Sequence, residues 1–196
     1  MMDSILTFSF VIFCALLLIV INRKLLKGKK QYIHAFANIH DQLKCRHDII
    51  PNLVDASKIY LKRDEAALSA VSSARLRAQA VLSAASANLD ESSVSSLGAV
   101  ETELNEALSN LQSAIQTYPE LKKDKLISDL IDILDCTENR VAYAKHNYNN
   151  SARSYNAMRQ SFPANIFASL LGHSRNAALL TFDEHAAVRI TSRILL

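Results

Sequence analysis

No charged side chain occurs between Asp3 and Arg23, and the stretch from Ser4 to Ile21 reads SILTFSFVIFCALLLIVI. Eighteen residues of helix rise about 27 Å, close to the roughly 30 Å hydrocarbon core of a bilayer. This run constrains the chain more than any other feature. A segment so apolar reads as a cleaved signal peptide, a lipoprotein signal or an uncleaved anchor. A cleaved leader needs a basic start and a small-residue cleavage site, whereas Met1-Met2-Asp3 offers no positive side chain and nothing resembling A-x-A follows. A lipoprotein signal ending at Cys14 places bulky Phe13 where a small residue belongs, and the apolar run continues for seven residues beyond it. An uncleaved signal anchor fits best. Arg23, Lys24, Lys27, Lys29 and Lys30 follow the span and no basic residue precedes it. The positive-inside rule therefore predicts a cytoplasmic C-terminal side. On the plainer reading these five charges set topology; they can also rest on anionic headgroups.

Without those five residues the charge balance of the chain is slightly acidic, so the basic character is local. A nucleic-acid partner is not expected, because its footprint would be a basic stripe over the folded part. Three glycines, three prolines and an abundance of alanine, leucine and serine argue against a turn-rich sheet and for helix. Cys14, Cys45 and Cys136 form no pairing pattern, which fits a reducing compartment with unpaired thiols behaving as small hydrophobes; a Cys45–Cys136 bridge is the less favoured alternative.

Beyond Gln31 the chain reads as helix with few interruptions. Phe36, Ile39, Leu43, Ile50 and Leu53 recur at helical steps, with Pro51 expected to kink or break the run. A second candidate break is Lys62-Arg63-Asp64-Glu65, although Leu61, Leu68, Val71, Ala78 and Leu82 hold a helical phase across it. Asn88 to Ser93 reads as a loop, and a helix is expected over about 94–117, ended by Tyr118-Pro119. The last long helix is expected over about 123–161, stopped by Phe162-Pro163. A short apolar segment over 165–171 follows, with Gly172 as a cap. Each long helix carries one apolar stripe and must bury it against others. The expectation is an all-α fold: an N-terminal transmembrane helix, then an antiparallel up-and-down bundle, preferably of four helices. The divisions are a tail over 1–3, the anchor over 4–21, a basic juxtamembrane segment over 22–30, the bundle over 31–172 and a weakly patterned tail over 173–196. With four alternating helices, the last one returns toward the membrane. Ile166, Phe167, Leu170 and Leu171 would then cover the base of the bundle or lie near the bilayer.

The run from Gln42 to Val54, QLKCRHDIIPNLV, resembles the Q-L-x-x-R-x-D-L-I-P-N-L-V signature of the LemA family, which follows a single N-terminal span. Further blocks agree in order. Ser73-Ala74-Arg75 matches an A-R element, and Tyr118 to Lys122 matches a Y-P-x-L-K turn. Thr137 to Val141, Tyr148-Asn149, Tyr155-Asn156 and Phe162-Pro163 match a T-E-N-R-I…Y-N…Y-N…F-P series. Cys45 departs from a usual basic residue, Phe36 stands near a common tryptophan, and 186–191 replaces an acidic, proline-containing end. A partner that reads that end would therefore meet different chemistry. The resemblance implies a single-pass protein of the bacterial inner membrane, with its N-terminus outside and its bundle in the cytoplasm. It supplies no activity. It points to partners among other membrane proteins, a membrane protease included, beside the lipid bilayer itself.

No catalytic, cofactor or metal site is expected. His34, His40, His47, His146, His173 and His185 show no i, i+4 ligand pairing, and Cys45 and His47, two apart, face different ways on a helix. Glycine-rich phosphate loops and nucleophile elbows are absent from the sequence. One polar constellation stands out: Arg46 and Asp48 beside Pro51, with Glu138, Arg140, Asn149 and Asn156 on the last long helix. It reads either as a hydrogen-bonded layer that fixes helix register or as a groove for a partner helix or peptide. The expected role is a non-enzymatic scaffold or adaptor. A self-associating, homo-oligomeric membrane organiser is the alternative, and a metal-dependent enzyme is the remote one.

Overall fold

The computed structural model describes residues 2–61 and 64–182, and all regular secondary structure among them is helical. Helix α1 spans Met2–Lys58, α2 Glu65–Ala87, α3 Glu91–Thr117, α4 Pro119–Lys123, α5 Lys125–Gln160 and α6 Ala164–Phe167. The anchor segment and the first bundle helix are thus one continuous helix. The chain does not break at Pro51, which lies inside α1; the interruption comes between Lys58 and Glu65. A proline at 51 cannot donate to the carbonyl of His47, four residues back. Arg75 of α2 supplies the missing donor, its Nε lying 2.6 Å from the His47 carbonyl oxygen.

Helix α3 starts earlier than its apolar stripe suggests. Asp90 accepts from the Ser93 amide at 2.8 Å and caps the helix, so Glu91 to Ser93 belong to its first turn rather than to a loop. Asp124 caps α5 in the same way through the Leu126 and Ile127 amides. At the far end of the bundle, Tyr118 donates to Asp64 at 2.9 Å and Tyr60 to Asp124 at 3.2 Å. These bonds tie the α1–α2 connection to the turn that opens α5.

Helix α1 packs chiefly on α5, and α2 packs on α3 and on α1. Buried Ala74, Ala78 and Ala85 let α2 lie close to its neighbours. The core has two parts. One gathers Ile50, Leu53, Val71, Leu104, Leu108, Leu111 and Leu134 at the far half. The other gathers Leu25, Phe36, Ile39, Leu43, Leu97, Tyr148, Ala152 and Tyr155 at the half nearer the N-terminal apolar run. The 36 residues of α5 rise about 54 Å, whereas the 23 of α2 rise about 35 Å, so α2 and α3 cannot cover the whole α1–α5 pair. Residues 164–182 fill that place, contributing Ala164, Ala168, Ala177 and Leu180 to the nearer core. Packing of the bundle begins at Ile21 and Leu25, before the expected start at 31, and continues past 172. Gly172 turns the chain at φ +79°, after which His173 N–H bonds the Ala168 carbonyl at 2.8 Å.

The apolar segment at the end of α5 divides by face. Phe167 and Leu171 pack against the core, while Phe162, Ile166 and Leu170 are exposed. Cys45 and Cys136 are free thiols at the surface rather than buried hydrophobes, and Cys14 lies in the apolar run of α1. The divergent stretch 186–191 and His185 lie outside the described residues.

Candidate functional site: a buried ionic crosslink and a strap on α5

Helices α1, α3 and α5 carry the polar residues near Pro51 and along α5, and the fold sorts them into two arrangements. In the first, Arg46 of α1 is 2% exposed and reaches across the bundle axis. One guanidinium nitrogen lies 3.4 Å from Glu101 of α3, and the other lies 3.3 Å from Glu138 of α5 and also donates to Asn105 of α3. His47, also buried, places Nε2 2.9 Å from the other Glu101 oxygen. A carboxylate only accepts, so that nitrogen carries the proton. The charges are drawn from three helices and lie between the two halves of the core. Buried charge is tolerable only when partnered, and a fork-shaped guanidinium meets several acceptors at once. This arrangement fixes the relative register of α1, α3 and α5. Asp48 and Arg140 are exposed and stand outside it.

In the second arrangement, Asn149 and Asn156 hold residues 173–182, an extended strap laid along α5. The Asn149 side chain donates to the Leu180 carbonyl and accepts from the Leu180 amide, each at 2.9 Å. Asn156 repeats this with Ala177, at 2.9 and 2.7 Å. A primary amide presents one donor and one acceptor side by side, matching the N–H and C=O of one extended residue. Two such amides, two helical turns apart, therefore read backbone rather than side chains. Tyr148 donates to the Ala178 carbonyl at 2.7 Å, and Lys145 donates to the Phe182 carbonyl at 3.1 Å while lying 4.3 Å from the centre of its ring. Burial holds the Tyr148 hydroxyl well above its ordinary pKa, with nearby Tyr32 adding to the rise, so it stays a donor. The Tyr155 hydroxyl meets His173 Nδ1 at 3.0 Å, and burial, then the nearby Lys29 charge, depress the His173 pKa. Gly98 of α3 borders the strap: a Cβ there would stand 2.2 Å from the Thr181 carbonyl oxygen.

The same tyrosines pack inward on α1, Tyr148 against Phe36 at 5.6 Å and Tyr155 against Tyr32 at 5.1 Å between ring centres. Each Tyr-Asn pair thus joins α1 on one side to the strap on the other. Glu101, Asn105, Gly98 and His47 did not stand out in the sequence as site residues. Glu101 and Asn105 could have been found as polar residues in phase with Leu97, Leu104 and Leu108. Among the described residues no three His, Cys, Asp or Glu side chains gather as a metal-binding group. Lys24, Lys27, Lys30 and Arg23 are exposed around α1, and Lys29 is partly covered.

A long apolar helix running unbroken into an all-helical bundle, with an internal ionic crosslink and a backbone-reading face on α5, defines the class of this protein. The chain belongs to the LemA family, whose family model matches residues 35–191. The matched region takes in the strap as well as the bundle. A search of curated proteins returns no match.

Proposed function

We propose that this protein is a non-enzymatic scaffold or adaptor that holds a rigid helical bundle at the cytoplasmic face of a bacterial inner membrane and presents it to other membrane proteins. The observation that carries the reading is the continuity of α1. Leu6, Phe8, Phe10, Phe13 and Leu16 are exposed on a helix that then becomes the central partner of α5 without a break. One helix among the described residues is long and apolar enough to cross a bilayer, with a mean hydropathy of 2.2 over its apolar window. Such surface is unfavourable in water and favourable in lipid. With no hinge between span and bundle, the orientation of the span sets the orientation of the bundle. The ionic crosslink then keeps the helices in fixed register, as suits a display surface.

Cross-linking and pull-down from native membranes with the anchor intact, against a control carrying the anchor alone, tests the reading. Enrichment of specific membrane proteins by the bundle supports it; identical recoveries from both would refute it. The exposed thiols of Cys45 and Cys136 test orientation. A membrane-impermeant maleimide should label them only after the inner membrane is opened. A second reading, self-association, is favoured by Leu126 and Ile133, which project outward from α5 two turns apart at 60% and 48% exposure. Concentration-dependent mass in nanodiscs or detergent, abolished by Leu126→Ser with Ile133→Ser, would favour it over the adaptor.

A further inference from the structure

Phe162, Ile166 and Leu170 are 80%, 61% and 82% exposed, although they sit within a segment whose other apolar residues are packed. We propose that these three side chains enter the interfacial layer of the bilayer, so that the base of the bundle is seated on lipid beside the span. The proposal rests on α1 crossing the membrane.

Depth is the first argument. The apolar run of α1 ends at Ile21 and rises about 27 Å, slightly short of a hydrocarbon core of about 30 Å. The hydrocarbon boundary therefore falls at or just beyond Ile21. Tyr155 and Met158, near the end of α5, lie against Gly28 of α1, 3.4 and 3.8 Å from where a Cβ would stand there, so the antiparallel α5 ends about opposite Leu25 and the segment 164–171 lies beyond that level. Phe167 and Leu171 belong to the part of the core that Ile21 opens and Leu17 borders, which brings the segment close to that boundary. Its outer face is the face carrying Phe162, Ile166 and Leu170. Aromatic and aliphatic side chains at that level replace contact with water by contact with acyl chains.

Charge is the second argument, and it is independent. Residues 22–40 contain five Lys or Arg and no Asp or Glu, and residues 139–182 contain five Lys or Arg and no Asp or Glu. These two stretches supply α1 and α5 at the end of the bundle where α6 lies. Carboxylates reach this end only from the α2–α3 turn among the described residues, as Asp90 and Glu91. Asp90 is engaged in capping α3 and feels the Arg175 charge. An end whose described carboxylates are confined to Asp90 and Glu91, with cations around an apolar tip, suits an anionic headgroup layer. A second copy of this positively charged end would instead be repelled.

The chain contains no tryptophan, so one introduced residue becomes a sole reporter. Phe162→Trp, Ile166→Trp and Leu170→Trp in the full chain, reconstituted in phosphatidylcholine–phosphatidylglycerol vesicles with brominated acyl chains, measure contact with lipid. Phe10→Trp reports the span, and Tyr143→Trp, on the exposed side of α5 about 26 Å from its end, reports water. The expected result is quenching at two or more of positions 162, 166 and 170 that exceeds Tyr143→Trp several-fold. Quenching of Phe10→Trp with all three base positions at the Tyr143→Trp level overturns the seat and leaves the anchor standing. Absence of quenching at Phe10→Trp overturns both. Unquenched, blue-shifted emission at 166 and 170 that grows with protein-to-lipid ratio assigns the patch to a second copy and likewise overturns the proposal.

Discussion

The carbonyl of His47 offers a sharp test of how this bundle tolerates a proline inside its longest helix. Pro51 removes the amide that would bond this carbonyl, and Arg75 replaces it from α2 at 2.6 Å. Arg75 is partly exposed, so its bond to a neutral carbonyl belongs at the lower end of the range for charged donors, about 1.5 kcal/mol. Arg75→Met keeps much of the stem and removes the donor. It should therefore weaken the folded state about tenfold in its unfolding equilibrium, since each 1.36 kcal/mol is about one decade. Pro51→Ala restores the amide and relieves the ring clash, and should stabilise the full chain. In that background the His47 carbonyl has an intrahelical partner, and Arg75→Met should cost less than about half of what it costs beside Pro51. Urea unfolding of the full chain in detergent, followed by far-UV circular dichroism for all four variants, measures the coupling. An equal cost for Arg75→Met in both backgrounds would falsify the account and reduce Arg75 to a surface packing residue.

Three further outcomes follow from the site. Arg46→Met should destabilise the bundle by about 3–5 kcal/mol, because Glu101 and Glu138 are left buried without their shared cation; a loss under about 1 kcal/mol in the same urea assay contradicts the crosslink. Gly98→Ala places a methyl where the Thr181 carbonyl stands, so hydrogen exchange at the Ala177 and Leu180 amides should accelerate while α1 and α5 stay protected; unchanged exchange at both amides refutes the contact. Burial, then Lys29, depress the His173 pKa, so the folded state favours neutral His173 and its stabilising share is present above about pH 6.5 and lost as pH falls toward the lowered value. Acidification below about pH 6.5 should therefore loosen the strap in wild type and do so less in His173→Gln, as read by exchange at Ala177; equal pH profiles would remove His173 as the cause.

The sequence is a good guide wherever one helix's periodicity decides the matter. Phe36, Ile39, Leu43, Ile50 and Leu53 are all buried, and the all-helical class with its long apolar start is what the structure has. It is a poor guide wherever a bond arrives from elsewhere in the chain. Local chemistry makes Pro51 a candidate break, and only the position of Arg75, on another helix, shows how α1 continues through it. Ser92 and Ser93 look like loop because serine competes with helix, yet Asp90 recruits them as a first turn. Residues 173–182 lack a helical period because they are extended against α5, where Asn149 and Asn156 bond their backbone and only His173, Ala177 and Leu180 are buried. The polar layer near Pro51 mixes two structures: Arg46 and Glu138 cross the interior, Asn149 and Asn156 face the strap, and Asp48 and Arg140 face outward.

The short blocks that carry the family resemblance acquire a common logic in three dimensions. Arg46 in the first block bonds Glu138 in another, Arg75 completes the helix that Pro51 interrupts, and Tyr118 of the Tyr-Pro turn bonds Asp64 across the far end. The two Tyr-Asn pairs each join α1 to the strap. Every one of these contacts lies between segments distant in sequence. Hydrophobic stripes can slide by a helical turn and still bury similar area, whereas a fork-shaped guanidinium or a paired amide has partners in one register only. The polar residues thus convert an alanine-rich bundle, which buries little area per side chain in α2, into one with a single alignment of α1 against α5. Because α1 is also the apolar helix, that alignment reaches from the strap down to Leu17 and Ile21 without a joint. A shift imposed on either end of α1 must then be felt at the other, which is the physical property that the proposed membrane-tethered display surface requires.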